Sequence, residues 1–248
     1  VVNLAISEHM EVNGVCLTSL TQSLAYTEIM AHRNPTPRKA TDAMVDLTKL
    51  AVAKYNIRPP TTYAIWKAIR KRDIHRRVRN FLYIILHDRL KVGKFWKHIP
   101  TCEGRQNCQY CGEVDNIDHI LLNCKCPHRA LIWDLAQSLW PAEYGPWPEI
   151  SLGSIIGCSL IKFHDQKQNP LPQAQRLFTI LVTECAHLIW KIRCEIVIDQ
   201  NGEDPAAQEV YNRFRSLLNS CLQKDIQLTN VHRWGNYAVS ESTVRQAW

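Results

Sequence analysis

A chain of 248 residues with 46% hydrophobic residues, 12 Pro and 9 Gly is long enough to bury a core and too apolar to be disordered or low in complexity. Ten cysteines with no even framework of spacings and no apolar signal segment argue against a disulfide-stapled secreted domain and for a reducing, intracellular compartment. The formal charge of +7 favours polyanionic partners, provided that the charge is concentrated.

Residues 1–15 hold β-branched side chains without sustained alternation and read as an extended arm. In residues 18–30, Leu20, Leu24 and Ile29 with Tyr26 predict a helix capped by Thr18 or Thr21, which Asn34, Pro35 and Pro37 end. A second helix over 41–55 has Val45, Leu47, Leu50, Ala51 and Val52 on its apolar side, and Pro59 and Pro60 stop it. The two are expected to pair as a hairpin.

Residues 63–90 form one or two helices, with Ile65, Trp66 and Ile69, then Ile74, Val78, Phe81, Leu82, Ile85 and Leu86 at the helical period. Between positions 67 and 97 stand eleven Lys or Arg against Asp73 and Asp88, a local charge of +9, so the rest of the chain sums to −2. Segregation of this kind is the pattern of a polyphosphate-binding surface. The candidate phosphate contacts are Lys67, Arg70, Lys71, Arg72, Arg76, Arg77, Arg79, Lys91, Lys94 and Lys97. Tyr63, Trp66, Phe95 and Trp96 stand among them, either to stack on bases or to pack in the core.

The next segment carries the most specific signal. Cys108 and Cys111 form a Cys-x2-Cys pair, followed by Gly112, whose permissive backbone suits a tight knuckle. His119 and Cys124 stand five apart and can complete a tetrahedral Cys3His site for zinc if the backbone between them loosens from a regular helix. Cys102, Cys126 and His128 are close enough in sequence to replace one of the four, Cys126 above all. The ion would stand in for a core that so short a segment cannot build.

Beyond the knuckle, a helix over 129–140 places Trp133 and Trp140 seven apart, as anchors of the knuckle to the body. SLGSIIGC, residues 151–158, has two glycines four apart but no following Gly-Lys-Ser/Thr, so it reads as a turn and short helix and not a phosphate loop. Residues 162–173 form a loop. Residues 175–200 make the strongest helix, apolar on more than one face; Glu184, His187 and Arg193 on it are read as internal ion-pair members before catalytic groups. Asn201-Gly202 turns the chain into a final amphipathic helix over 206–222, and Trp234 and Trp248 of the polar tail can dock on the body.

Several separated blocks carry a family resemblance. CxxCGExxxxxHILLxC followed by a helix with IW resembles the zinc-binding segment of reverse-transcriptase polyproteins of non-LTR retrotransposons. LTQSLAY, VRNFLYIILHDRLKVGKFWKHIP, PWPEISLGSIIGC and RLFTILVTECAHLIWKIRCEIVI are similar, in the same order, to Tad-type elements of fungi. The resemblance implies a region that follows a ribonuclease H domain in a longer polyprotein, with which the absence of an initiator Met at Val1 agrees. It implies partners among RNA, DNA and the upstream domains, and a nuclear location. The knuckle departs from the retroviral spacing, with seven residues between its second Cys and its His where the retroviral one has four.

The expectation is a mainly helical fold with an inserted Cys3His zinc knuckle over 101–128, in three regions: an arm and hairpin over 1–60, a basic region with the knuckle over 61–145, and a C-terminal helical region over 146–248. Asp42, Asp46, Asp73, Asp88 and Asp165 are scattered and lie outside alternating strands, so two-metal nuclease or polymerase chemistry is not expected. The expected function is non-catalytic nucleic-acid binding, with no membrane and no small-molecule substrate. The rivals are a structural domain packing on its upstream neighbours and, behind it, a residual nuclease.

Overall fold

A computed structural model describes residues 17–32, 38–199 and 203–248. The expected N-terminal arm, the Asn34-Pro35-Pro37 stop and the Asn201-Gly202 turn lie outside these. The described residues are mainly helical and contain no strand, only isolated bridges between Asn107 and Val114 and between His164 and Pro170. None of their helices is long and apolar enough to cross a membrane.

The chain divides into two compact units, Val1–Lys39 and Ala40–Trp248. In the first, α1 (Gln22–His32) begins where Thr21 accepts a hydrogen bond from the Leu24 N–H, the expected cap. Leu20, Leu24 and Ile29 are all exposed. The division falls between the two helices expected to form a hairpin, and residues from 45 to 218 share one hydrophobic core, across the expected boundaries at 60 and 145.

The second unit is organised around α7 (Pro172–Cys194), which buries Leu177, Phe178, Ile180, Leu181, Val182, Leu188, Ile189 and Ile192. Because these residues surround the axis, the helix has to be covered on every side. It starts earlier than expected, since Pro172 at its first turn gives up only an N–H that would have no helical partner. Around it stand α2 (Lys39–Ala53), α3 (Thr62–Ala68), α4 (Arg76–Leu86), α5 (Pro127–Ser138), α6 (Leu152–Gly157) and α8 (Ala207–Leu228). Trp140, Tyr144, Trp147, Phe163 and Phe178 meet in a cluster with ring centroids 5.2–5.9 Å apart.

Charged residues on α7 each claim a different neighbour. Arg176, 7% exposed, forms a two-toothed pair with Asp225 of α8 at 2.7 and 2.9 Å and reaches Asp73 at 3.2 Å. This explains why α8 runs six residues past the expected end, because Asp225 and Leu228 on its last turns are buried. Glu184 faces Arg77 of α4 at 3.5 Å; burial pushes its carboxyl up and Arg77 pulls it partly back. Burial brings the His187 imidazole down to about 4, so it stays neutral beside the Phe81 ring at 5.3 Å.

After α8 the tail folds back instead of trailing. Short helices α9 (Val231–Trp234) and α10 (Glu241–Ala247) are capped by Asn230 and Ser240, and the Trp248 indole donates to Asp225 at 2.7 Å.

The two glycines of SLGSIIGC serve close packing. A Cβ at Gly153 would stand 2.5 Å from the Leu47 carbonyl oxygen and 2.8 Å from the Ala51 Cβ, and one at Gly157 would stand 2.5 Å from Val52. One turn apart on α6, they let its backbone press against α2. Gly153→Ala gains helix propensity yet is expected to lower stability by about 1–3 kcal/mol in denaturant unfolding, because the obstructing atom is backbone. A neutral or stabilising result would mean that α6 and α2 are less closely apposed.

Candidate metal centre and basic surface

The knuckle begins as a tight reversal. The Cys108 N–H donates to the Glu113 carbonyl and the Gly112 N–H to the Cys108 carbonyl, both at 2.8 Å, and Gly112 takes φ +71°. The Asn116 side chain then accepts from the His119 N–H at 2.9 Å and opens a helical turn. From His119 to Asn123 that turn is a π-helix, closed by the Cys124 N–H donating to the His119 carbonyl at 2.7 Å. Residues five apart in an α-helix point about 140° away from one another. The wider turn supplies the loosening that brings His119 and Cys124 to one side.

One atom each from Cys108, Cys111, His119 and Cys124 fall within 4.8 Å of one another. A tetrahedral ion with metal–sulfur bonds of about 2.3 Å needs ligand separations of roughly 3.7 Å. The sulfurs of Cys108 and Cys124 are 3.4 Å apart. His119 is 5% exposed and its Nε2 is buried with no hydrogen-bond partner among the described residues, an arrangement that costs stability unless the nitrogen binds something. Its Nδ1 faces Glu113 at 3.8 Å, and the Lys125 N–H points at the Cys111 sulfur at 3.4 Å. These residues fit a metal ion, and three sulfurs with one imidazole suit a soft or borderline one.

The three alternative ligands fall outside the cluster. Cys126 is buried against Cys108, Cys124 and Tyr110; His128 is buried with Nδ1 3.5 Å from Asp204; Cys102 is half-buried. Burial pushes the Cys124 thiol up, so an incoming cation displaces its proton and binds more weakly as pH falls.

The knuckle is more firmly built into the body than a motif that depends on an ion alone. Ile117, Ile120 and Leu121 join the main core, and the Trp133 indole of α5 donates to the Leu121 carbonyl at 2.8 Å, the anchoring expected of it. Arg193 of α7 grips Asp115 at 2.6 and 3.0 Å with both groups buried. An arginine on an apolar helix announces that it needs a partner, but nothing local to Asp115 names it as that partner.

The ten candidate phosphate contacts separate by environment. Lys67, Arg70, Arg76, Lys91, Lys94 and Lys97 are exposed, and among the described residues none pairs with a carboxylate. Arg77 keeps half its side chain in solvent while facing Glu184. Lys71 and Arg79 are half-buried and serve the fold, donating to the Ser159 carbonyl at 2.5 Å and the Ile74 carbonyl at 2.7 Å. Arg72 is exposed, donates to the Tyr237 carbonyl and lies 5.9 Å from the Trp234 ring centre. Tyr63 and Phe95 are exposed, whereas Trp66 packs with Tyr83 and His87.

No family model matches this chain, no curated protein is similar to it, and no solved structure matches its fold.

Two substitutions distinguish the four clustered residues from their rival. Cys124→Ser should abolish stoichiometric metal retention and lower the melting temperature, while Cys126→Ala should retain the metal; elemental analysis of both proteins decides, and the reverse pattern would reassign the ligand. Arg193→Met leaves the Asp115 charge buried alone and should cost about 3–5 kcal/mol in unfolding experiments.

Proposed function

We propose that this chain is a non-catalytic nucleic-acid-binding module in which a zinc ion held by Cys108, Cys111, His119 and Cys124 braces a helical body carrying a basic strip. The observation that carries the reading is the state of the strip. Most of the charge at positions 67–97 points to solvent without carboxylate partners among the described residues, so counterions cover it and a polyphosphate can displace them. Two of the acids beside it are engaged, Asp73 by Arg176 and Glu184 by Arg77, which leaves Asp88 as the exposed acid within positions 67–97.

Zinc is favoured over other soft ions because Cys3His is a closed structural zinc set, which leaves no coordination position for a reacting water. The same chemistry supports a bracing and not a hydrolytic role. Among the described residues this is the one group of three or more His, Cys, Asp or Glu side chains able to hold a metal. The ordered blocks that resemble Tad-type retrotransposons support a place beside a ribonuclease H domain in a reverse-transcriptase polyprotein. There the module would hold RNA template or target DNA, in the nucleus.

A second reading, docking to neighbouring protein domains, is favoured by Leu50 and Ile57, which stand fully or mostly in water.

The discriminating experiment is a gel-shift titration with short RNA and DNA at several salt concentrations. Reversing Arg76 together with Lys67 to Glu should weaken binding to all sequences alike and reduce the salt slope by roughly two, about 0.7–0.9 per phosphate contact. An unchanged slope would remove these residues from the interface, and no association even in dilute buffer would leave protein docking as the function.

A further inference from the structure

One segment that meets the basic strip in space, the C-terminal tail, lies far from it in sequence. Arg72 donates a guanidinium N–H to the Tyr237 carbonyl and lies over the Trp234 ring, 5.9 Å from its centre. Arg233 lies over the same ring at 5.4 Å. The indole is held in place by its N–H bond to the Gln227 carbonyl of α8 at 3.1 Å, and Asn230 caps the short helix that carries it. Trp234 therefore orients two guanidinium groups, one from the basic turn before α4 and one from the tail.

Tyr237 has the opposite character. Its backbone ties the tail to Arg72, yet its ring is 77% exposed and, among the described residues, makes no ring contact. A tyrosine whose main chain is fixed and whose ring is left in water has lost little of the order that stacking requires and none of the surface.

We propose that Arg72, Arg233, Trp234 and Tyr237 form a composite site for single-stranded nucleic acid, with the guanidinium groups on successive phosphates and an unpaired base stacked on the Tyr237 ring. The occupant follows from the chemistry. Planar cations beside an exposed aromatic face match a strand that offers both phosphates and free base faces, whereas a duplex keeps its bases stacked on one another. The surroundings favour an anion. Asp73 and Asp225, the acids near this end of the body, are both engaged by Arg176, and Glu241 pairs with Arg245. Farther along, Lys224, Arg77 and Arg79 add to burial in holding the His75 imidazole down, a sign of positive potential over the start of α4.

This site rests on the nucleic-acid reading and extends it to the tail, which composition alone leaves as a weakly patterned segment. Its test uses the full chain, loaded with zinc, and a fluorescent oligonucleotide offered both as a single strand and as a duplex of the same length. Tyr237→Ala should lower single-strand affinity at least about fivefold with the salt slope unchanged and duplex affinity unaffected, since stacking contributes without releasing counterions. Tyr237→Phe should restore wild-type affinity. Arg233→Gln should reduce the single-strand salt slope by roughly 0.7, one phosphate contact. The proposal is overturned if Tyr237→Ala binds the single strand as well as wild type, or if it loses strand and duplex equally. If the wild-type chain binds neither form in dilute buffer, the nucleic-acid reading itself fails, an outcome separate from the tail's failing to contribute. Unchanged melting and metal content of each variant keep a folding defect from passing as lost binding.

Discussion

A helix that is apolar around most of its circumference cannot face water, and α7 sets that condition for the whole second unit. Burying it demands neighbours on all sides, which α4, α5, α6, the knuckle, α8 and α10 supply, with α2 and α3 extending the same core behind α6. Apolar packing alone leaves the order of those neighbours open, because one hydrophobic surface serves nearly as well as another. The charges on α7 remove that freedom. Arg176 accepts only an arrangement that brings Asp225 and Asp73, Glu184 one that brings Arg77, and Arg193 one that brings Asp115. Each mispairing would strand a charge in the core at a cost of several kcal/mol, so these pairs specify position more than they add stability.

The metal site inherits its geometry from that framework. Arg193 fixes Asp115 between the Cys-x2-Cys reversal and the π turn, and the Trp133 indole holds the carbonyl of Leu121 within that turn. The four ligand atoms are thereby collected by the fold, and an ion would satisfy the buried His119 Nε2 that the protein itself leaves without a partner. Because the same apolar residues serve the knuckle and the core, an ion bound there would brace α5 and α7 as well as the loop.

The electrostatic layout follows from the same packing. Asp73 is held by the buried Arg176 and the buried Glu184 by Arg77, while Lys67, Arg70 and Arg76 on α3, α4 and the turn between them keep solvent. The result is a body whose internal charges are balanced and whose surface charge is concentrated. Folding the tail over α8 then brings Arg233 beside Arg72 and widens the strip beyond the segment that supplies most of its charge.

The sequence by itself determined the local properties: the helical period of α4 and α7, the cap at Thr21, the Cys-x2-Cys reversal with its glycine, and the density of cations from 67 to 97. All are set by neighbours a few residues apart, where spacing translates directly into geometry. Even the need for a loosened turn between His119 and Cys124 was legible, since a regular helix points them apart. What only the tertiary structure decided is which distant groups meet. Asp115 opposite Arg193, α6 glycines against α2, the end of α8 drawn out to Arg176, and Trp234 beneath Arg72 are separated by roughly 50 to 160 positions, and the patterns of the helices themselves are silent about them. Such pairings depend on how an encircled helix is enclosed, a property of the assembled body that no window of the chain contains.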